Sequence, residues 1–275
     1  YTNNVGLYYN RGMFSAAGLD GPPTTWDELV EFGQALTDGD SYGMMMGASG
    51  MGAFVFWPFA FQNGATLISD DGMTAEFGSP EGLEAWNFYS DLYLTHGIVP
   101  ADIKSATTAW DQTFAPFIQE RAAMVMSGDW ATGAIVAGNP EIDFAVAPLP
   151  VGREAATVIG GYNLAIPPTS PNADAAWDFI AWLTAEEQAW ILQEYSRIQA
   201  RADIVDTEYA TRDPLIQVFI EQSAVGRARA TVPAWTEIEA TIVANAWDSV
   251  ILEQASPDDA LATAVEQANE LLADQ

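Results

Sequence analysis

The chain has no cysteine, a single lysine (Lys104) and a single histidine (His96) in 275 residues. Without cysteine there can be no disulfide, no thiol nucleophile and no thiolate metal ligand. That absence suits an exported protein and a cytosolic one almost equally. With one histidine, Ser–His and Cys–His nucleophile systems are hard to assemble. His96 stands where a helix should end, and an imidazole suits the negative end of a helix dipole. No apolar run reaches the roughly 18 residues that a membrane-spanning helix needs. Basic residues are scarce too: 9 against 38 acids, a net charge of −29. A field of that sign repels phosphate backbones and anionic lipid surfaces, so nucleic acid is not an expected partner. Glycine loops with either common phosphate-cradling spacing are missing. Asp38-Gly39-Asp40-Ser41-Tyr42-Gly43 begins like a calcium loop. Tyr42 takes the place of the third ligand and Ser49 that of the closing glutamate, which leaves a turn. No leader peptide precedes Tyr1, which falls inside a strand-like pattern, so the N-terminus reads as processed or truncated.

Apolar residues, by contrast, make up 49% of the chain, enough for a sizeable core in one large domain or two lobes. The acidic surface solubilises the protein and fits a salt-rich or extracellular habitat, where ions screen self-repulsion. A melting temperature that does not rise with salt would count against that habitat. Strand and helix signals alternate through the first part. Val5–Tyr9, Tyr42–Met46, Ala122–Met126 and Phe144–Ala147 read as strands. Thr25-Trp26-Asp27-Glu28 is a capping box that opens a helix to about Leu36. Ser79-Pro80 opens a second, striped with Leu83, Trp86, Tyr89, Leu92 and Tyr93. Thr108–Glu120 is a third. Gly47–Phe61 is glycine followed by a dense aromatic run. Its rings cannot all face one core, so it reads as a buried helix with Pro58 in its first turns, one or two rings being left to line a cleft. Helices then dominate: Asn172–Leu183, Glu186–Tyr195, Pro214–Ser223, Trp235–Leu252, and a last one capped by Ser256. The order is α/β with a helical tail.

Between the two regimes lies Val158-Ile159-Gly160-Gly161-Tyr162-Asn163-Leu164-Ala165-Ile166-Pro167. Its apolar ends suit a buried strand, while a glycine pair inside a strand marks either a bulge or a close approach to the backbone. There are 10 Trp, 9 Tyr and 13 Phe, and Trp57, Trp130 and Tyr162 stand beside Gly or Pro at loop-to-helix junctions. Ring faces near amides and carboxylates suit a neutral polyol, whose C–H faces stack while its hydroxyls seek polar partners. Burial in the core is the competing reading for each ring.

Six pieces, in order, carry a resemblance: Gly6-Leu7-Tyr8-Tyr9-Asn10; Gly18-Leu19 with Pro22–Leu29; Ala122-Ala123-Met124 with Ser127-Gly128-Asp129-Trp130; Gly160–Ile166; Ala175–Ile180; and Ser256–Leu261. Each is weak alone. As an ordered set they resemble the extracellular solute-binding proteins of carbohydrate ABC transporters, a group that includes maltose- and trehalose-binding proteins. Asn10-Arg11-Gly12 departs from the usual Asn-Lys-Asp, at a structural turn. The resemblance implies an α/β, two-lobe periplasmic-binding-protein fold (type II) whose first lobe is incomplete here, since the family's opening block would precede Tyr1. Residues 5–158 would form the main part of the second lobe. Residues 159–209 would supply a crossing strand and the rest of the first lobe, and 210–275 a helical return to the second. The implied function is non-enzymatic: a neutral mono- or oligosaccharide is held between the lobes and delivered to a membrane permease, without a cofactor or metal. The protein would be a monomer, extracellular or periplasmic, tethered by a lipidated N-terminus. Ligand contacts carry over to Tyr1, Asn3, Phe54, Trp130, Gly161, Tyr162 and Asn163, and more weakly to Arg201 and Trp235. Anionic ligands fit less well, since only Arg201 and Arg197 fall near this site. A glycerol-phosphate-type solute, a glycosidase with paired carboxylates and a fragment without binding competence are the alternatives.

Overall fold

The computed structural model describes residues 1–105, 110–201 and 213–274. A mixed sheet of six strands is built around β1 (Thr2–Asn10), which is almost wholly buried, its polar Asn3, Asn4 and Asn10 included. One edge of β1 runs antiparallel to β3 (Ala122–Gly128), from Val5↔Gly128 to Tyr9↔Met124. The other edge takes two partners in succession. Its first residues pair with β5 (Thr157–Gly161), Thr2↔Gly161 to Asn4↔Ile159, and its last with β4 (Phe144–Ala147), Leu7↔Ala147 to Asn10↔Phe144. β2 (Tyr42–Met45) extends the sheet parallel to β3, and β6 (Gly226–Ala228) parallel to β5. The start of β1 and the end of β5 therefore leave the sheet side by side.

Local chemistry explains the helix starts. The Thr25 hydroxyl accepts from the Glu28 amide (3.2 Å) and opens α2 (Trp26–Ala35). The reciprocal bond is shifted by one residue from the expected capping box: the Glu28 carboxylate accepts from the Thr24 amide and hydroxyl. Ser79 and Ser256, each followed by proline, cap α4 (Pro80–Leu94) and α12 (Pro257–Ala273) as expected. α1 (Arg11–Ala16) is capped by the Asn10 carboxamide. α5 (Trp110–Ile118) is the described part of the helix expected over 108–120, whose first residues lie outside the described ones. α6 (Ala131–Gly138) follows the Ser127–Trp130 turn.

α3 (Ser49–Gln62) is a buried helix as expected, with two details corrected: its rings do all find core, and its proline sits further along. Phe54, Phe56, Trp57, Phe59 and Phe61 are all buried, because core surrounds the helix on every side: α4, β5 and the C-terminal helices all pack on it. A helix that is apolar all round has no solvent face to offer. Pro58 sits in its third turn, not its first. Its start is held from another helix: Asp248 accepts from the Ser49 amide (2.8 Å) and hydroxyl (2.6 Å), while Ser49 adopts a left-handed φ of 48°.

After β5, α7 (Ala173–Leu183) and α8 (Ala189–Glu194) run as expected, yet no residue of α7 is buried. α9 (Pro214–Gln222) returns to β1, where the Gln222 side chain donates to Asn4 Oδ1 (2.9 Å) and accepts from the Leu149 amide (2.7 Å). The helix expected over 235–252 is three pieces: α10 (Trp235–Glu237), a π-helical stretch (Ile238–Val243) and α11 (Ala244–Ile251).

Candidate functional site

A cavity of about 470 Å³ opens where β1 and β5 leave the sheet. Tyr1 and Asn3 reach it from β1, Gly160, Gly161 and Tyr162 from the end of β5, and Gly50 and Phe54 from the start of α3. Trp130 comes from the turn after β3, Arg197 from the loop after α8, and Arg229, Glu239 and Ala240 from the C-terminal segment. The chain passes this spot a third time, since Thr2 bridges to Ile198.

The aromatic wall has two halves. Tyr1 and Tyr162 stand ring to ring, centroids 5.4 Å apart, and the Tyr162 amide donates to the Tyr1 carbonyl at 3.1 Å. Gly161, the last residue of β5, has a φ of 144° and lies so close to Tyr1 and Thr2 that a Cβ would overlap their backbone. Here the glycine marks a close approach, one of the two readings its sequence allowed. Phe54 and Trp130 form the second half, 5.9 Å apart. The Trp130 indole lies over Gly128, where any side chain would overlap it.

Charge is arranged in two pairs. Glu239 accepts from the Trp57 indole at 2.7 Å and from Arg229, whose guanidinium lies 5.1 Å from the Phe54 ring centroid. Burial raises the Glu239 pKa, against the opposing pull of Arg229 and the Trp57 hydrogen bond. Beneath Trp130, Asp129 is fully buried, and neither of its oxygens has a hydrogen-bond partner. Arg197 Nη1 lies 3.9 Å from it. Desolvation lifts the Asp129 pKa to about 7, with Arg197 partly opposing. Arg197 also stands 5.5 Å from the Tyr1 ring.

Six of the nine expected contacts, Tyr1, Asn3, Phe54, Trp130, Gly161 and Tyr162, converge on this cavity. Three do not line it. Asn163 follows Tyr162 out into solvent. Arg201 donates to the Thr184 carbonyl at 3.2 Å. Trp235 is buried against Trp57, 5.3 Å between ring centroids. Gly50, Gly160, Arg229, Glu239 and Ala240 were missed. Glu239 carried a usable signal, an acid inside an apolar helical stripe; Arg229 carried none. Among the described residues no group of three or more His, Asp or Glu could hold a metal ion. The Asp38 turn is a turn, its carboxylate taken up by the Asp40 and Ser41 amides.

A cleft framed by the paired strands β1 and β5 and walled by aromatic rings has the shape and lining that suit a small solute. The chain belongs to the bacterial extracellular solute-binding protein family, whose profile matches residues 1–190. It is similar to an ABC transporter solute-binding protein of Thermotoga lettingae bound with alpha-D-tagatose (31% identity, TM-score 0.88, 99% of this chain and 71% of that one). It is also similar to the cyclic alpha-maltosyl-1,6-maltose binding protein of Arthrobacter globiformis (28% identity, TM-score 0.81, 100% and 71%). A binding protein of Brucella abortus is 24% identical over 272 residues, which cover 97% of this chain. The chain spans 65% of that relative's length. The α/β, two-lobe periplasmic-binding-protein architecture is thus the fold of the chain and its neighbours.

Proposed function

We propose that this chain is the larger part of the substrate-binding component of an ABC importer, taking a neutral mono- or oligosaccharide between two lobes and presenting it to a membrane permease. The observation that carries this reading is the cavity itself: four aromatic rings converge with an amide and an arginine–carboxylate pair. Rings stack on sugar C–H faces, and the polar groups meet hydroxyls. Among the similar solved structures, one is bound with alpha-D-tagatose and another is of a cyclic alpha-maltosyl-1,6-maltose binding protein. In this reading residues 5–158 form most of the second lobe, 159–209 cross into and partly build the first, and 210–275 return. Those from 202 to 212 lie outside the described residues. Closure would bend the paired strands β1 and β5. The role is binding without turnover, by a monomer outside the cytoplasm held at the membrane by a lipidated N-terminus.

Isothermal titration of the complete protein with a sugar panel tests the reading. Saturable heat with at least one neutral sugar is expected. Heat with a phosphate ester and with no sugar would overturn it.

A further inference from the structure

Three polar residues, Asn3, Arg229 and Glu239, line the cavity together with Gly160. Asn3 is 7% exposed, and its Oδ1 has no hydrogen-bond partner. A buried acceptor without a donor is costly unless something supplies one. A Cβ on Gly160 would overlap that oxygen and would stand 3.7 Å from Arg229 Nη2, so the bare glycine keeps open the space that both side chains border. Glu239 completes the set. It projects from the π-helical stretch, a local departure from regular helix that recurs at functional sites. Trp57 and Arg229 each hold one of its oxygens, and Phe54 backs the guanidinium, so the pair is fixed before a ligand arrives.

We propose that Asn3, Arg229 and Glu239 form the subsite that selects an uncharged diol over an anion. The inference rests on the sugar reading and sharpens it. Adjacent hydroxyls donate to Asn3 Oδ1 and to the Glu239 carboxylate and accept from Arg229, because a hydroxyl does both. A phosphate or carboxylate offers only acceptors. It would face the Glu239 charge and the Asn3 lone pairs, with the nearest cation already neutralised by Glu239.

The test is titration calorimetry of the complete protein with D-tagatose, maltose, mannitol and glycerol 3-phosphate, on wild type and two variants. Glu239→Gln keeps the side chain's shape and an acceptor for Trp57 but frees the charge of Arg229. It should weaken the sugar that wild type binds by about tenfold or more and strengthen glycerol 3-phosphate by a similar factor. Gly160→Ala, which pushes on Asn3, should weaken the sugar without improving the phosphate. Melting curves establish that both variants fold. A merely structural Glu239 would weaken both ligands together or neither. Either result, or an unchanged sugar affinity in Gly160→Ala, overturns the subsite and leaves the sugar reading standing. A wild type that binds none of the sugars overturns both.

Discussion

Two neighbouring residues in the Ser127–Trp130 turn do different work. Trp130 is half-buried, with one ring face toward the cavity and Phe54 beside it. Removing it should cost binding far more than folding. Trp130→Ala is expected to weaken the sugar by about ten- to a hundredfold, the loss of one stacking surface of roughly 1.5–3 kcal/mol. The melting temperature should move little, and calorimetry with thermal denaturation separates the two effects. Asp129, just before it, bears on stability through pH. Its pKa is raised to about 7, so ionising it in the fold is unfavourable. Below pH ~4 the carboxyl is protonated in both states and contributes nothing. Between pH ~4 and ~7 the unfolded chain has lost the proton and the native state keeps it, so stability falls as pH rises, then levels off. The loss has an upper bound of about 4 kcal/mol. Asp129→Asn should therefore melt with wild type at pH 4 and above it at pH 8, the gap growing between them. A gap independent of pH would refute this. Removing the carboxylate leaves Arg197 with less counter-charge, which trims the gain.

At the scale of elements, what could be read was what local chemistry dictates. The caps at Thr25, Ser79 and Ser256 and the apolar runs of β1 and β3 appear almost where their residues put them. That α3 would bury every ring was not legible, because burial on all sides leaves no periodicity to see. β6 was missed because Gly226-Arg227-Ala228 has no alternation; it is a strand only because β5 lies beside it. The π-helical stretch was invisible for the same reason: its apolar stripe is compatible with an ordinary helix. Half the site follows this rule. Tyr162 and Trp130 stood out beside glycines and Glu239 as an acid in an apolar stripe, whereas Arg229 is brought to the cavity by tertiary packing alone. The seam between α3 and α11 shows how tightly that packing is set. A Cβ at Gly52 would overlap the Trp247 indole, whose N–H donates to the Gly47 carbonyl at 2.8 Å. Gly52→Ala should cost about 1–3 kcal/mol by overpacking, a melting point lower by roughly 2–10 °C. An unshifted denaturation curve would mean the seam has slack.

For the whole molecule, two opposed surface properties decide its behaviour in solution. The net charge of −29 keeps copies apart. The large apolar residues that reach solvent are, however, unevenly spread. Leu164, Trp177, Phe179, Trp182, Trp190 and Tyr195 are each more than half exposed, and all fall between residues 163 and 195. Apart from Tyr162 at the cavity, the others among the described residues are scattered singly, as on any protein surface. Trp177, Phe179 and Trp182 put large rings on α7, while none of its residues is buried. Exposed apolar side chains in that number favour association once charge repulsion is screened. The 275-residue chain should therefore sediment as a monomer at about 10 mM salt and associate reversibly at about 1 M, where the Debye length is ~3 Å. Trp177→Ser with Trp182→Ser should stay monomeric at both, at little cost to melting temperature because neither ring is buried. A wild-type chain that is monomeric at high salt would show that this surface is already satisfied as it stands. Association that persists in the double variant would place the contact elsewhere.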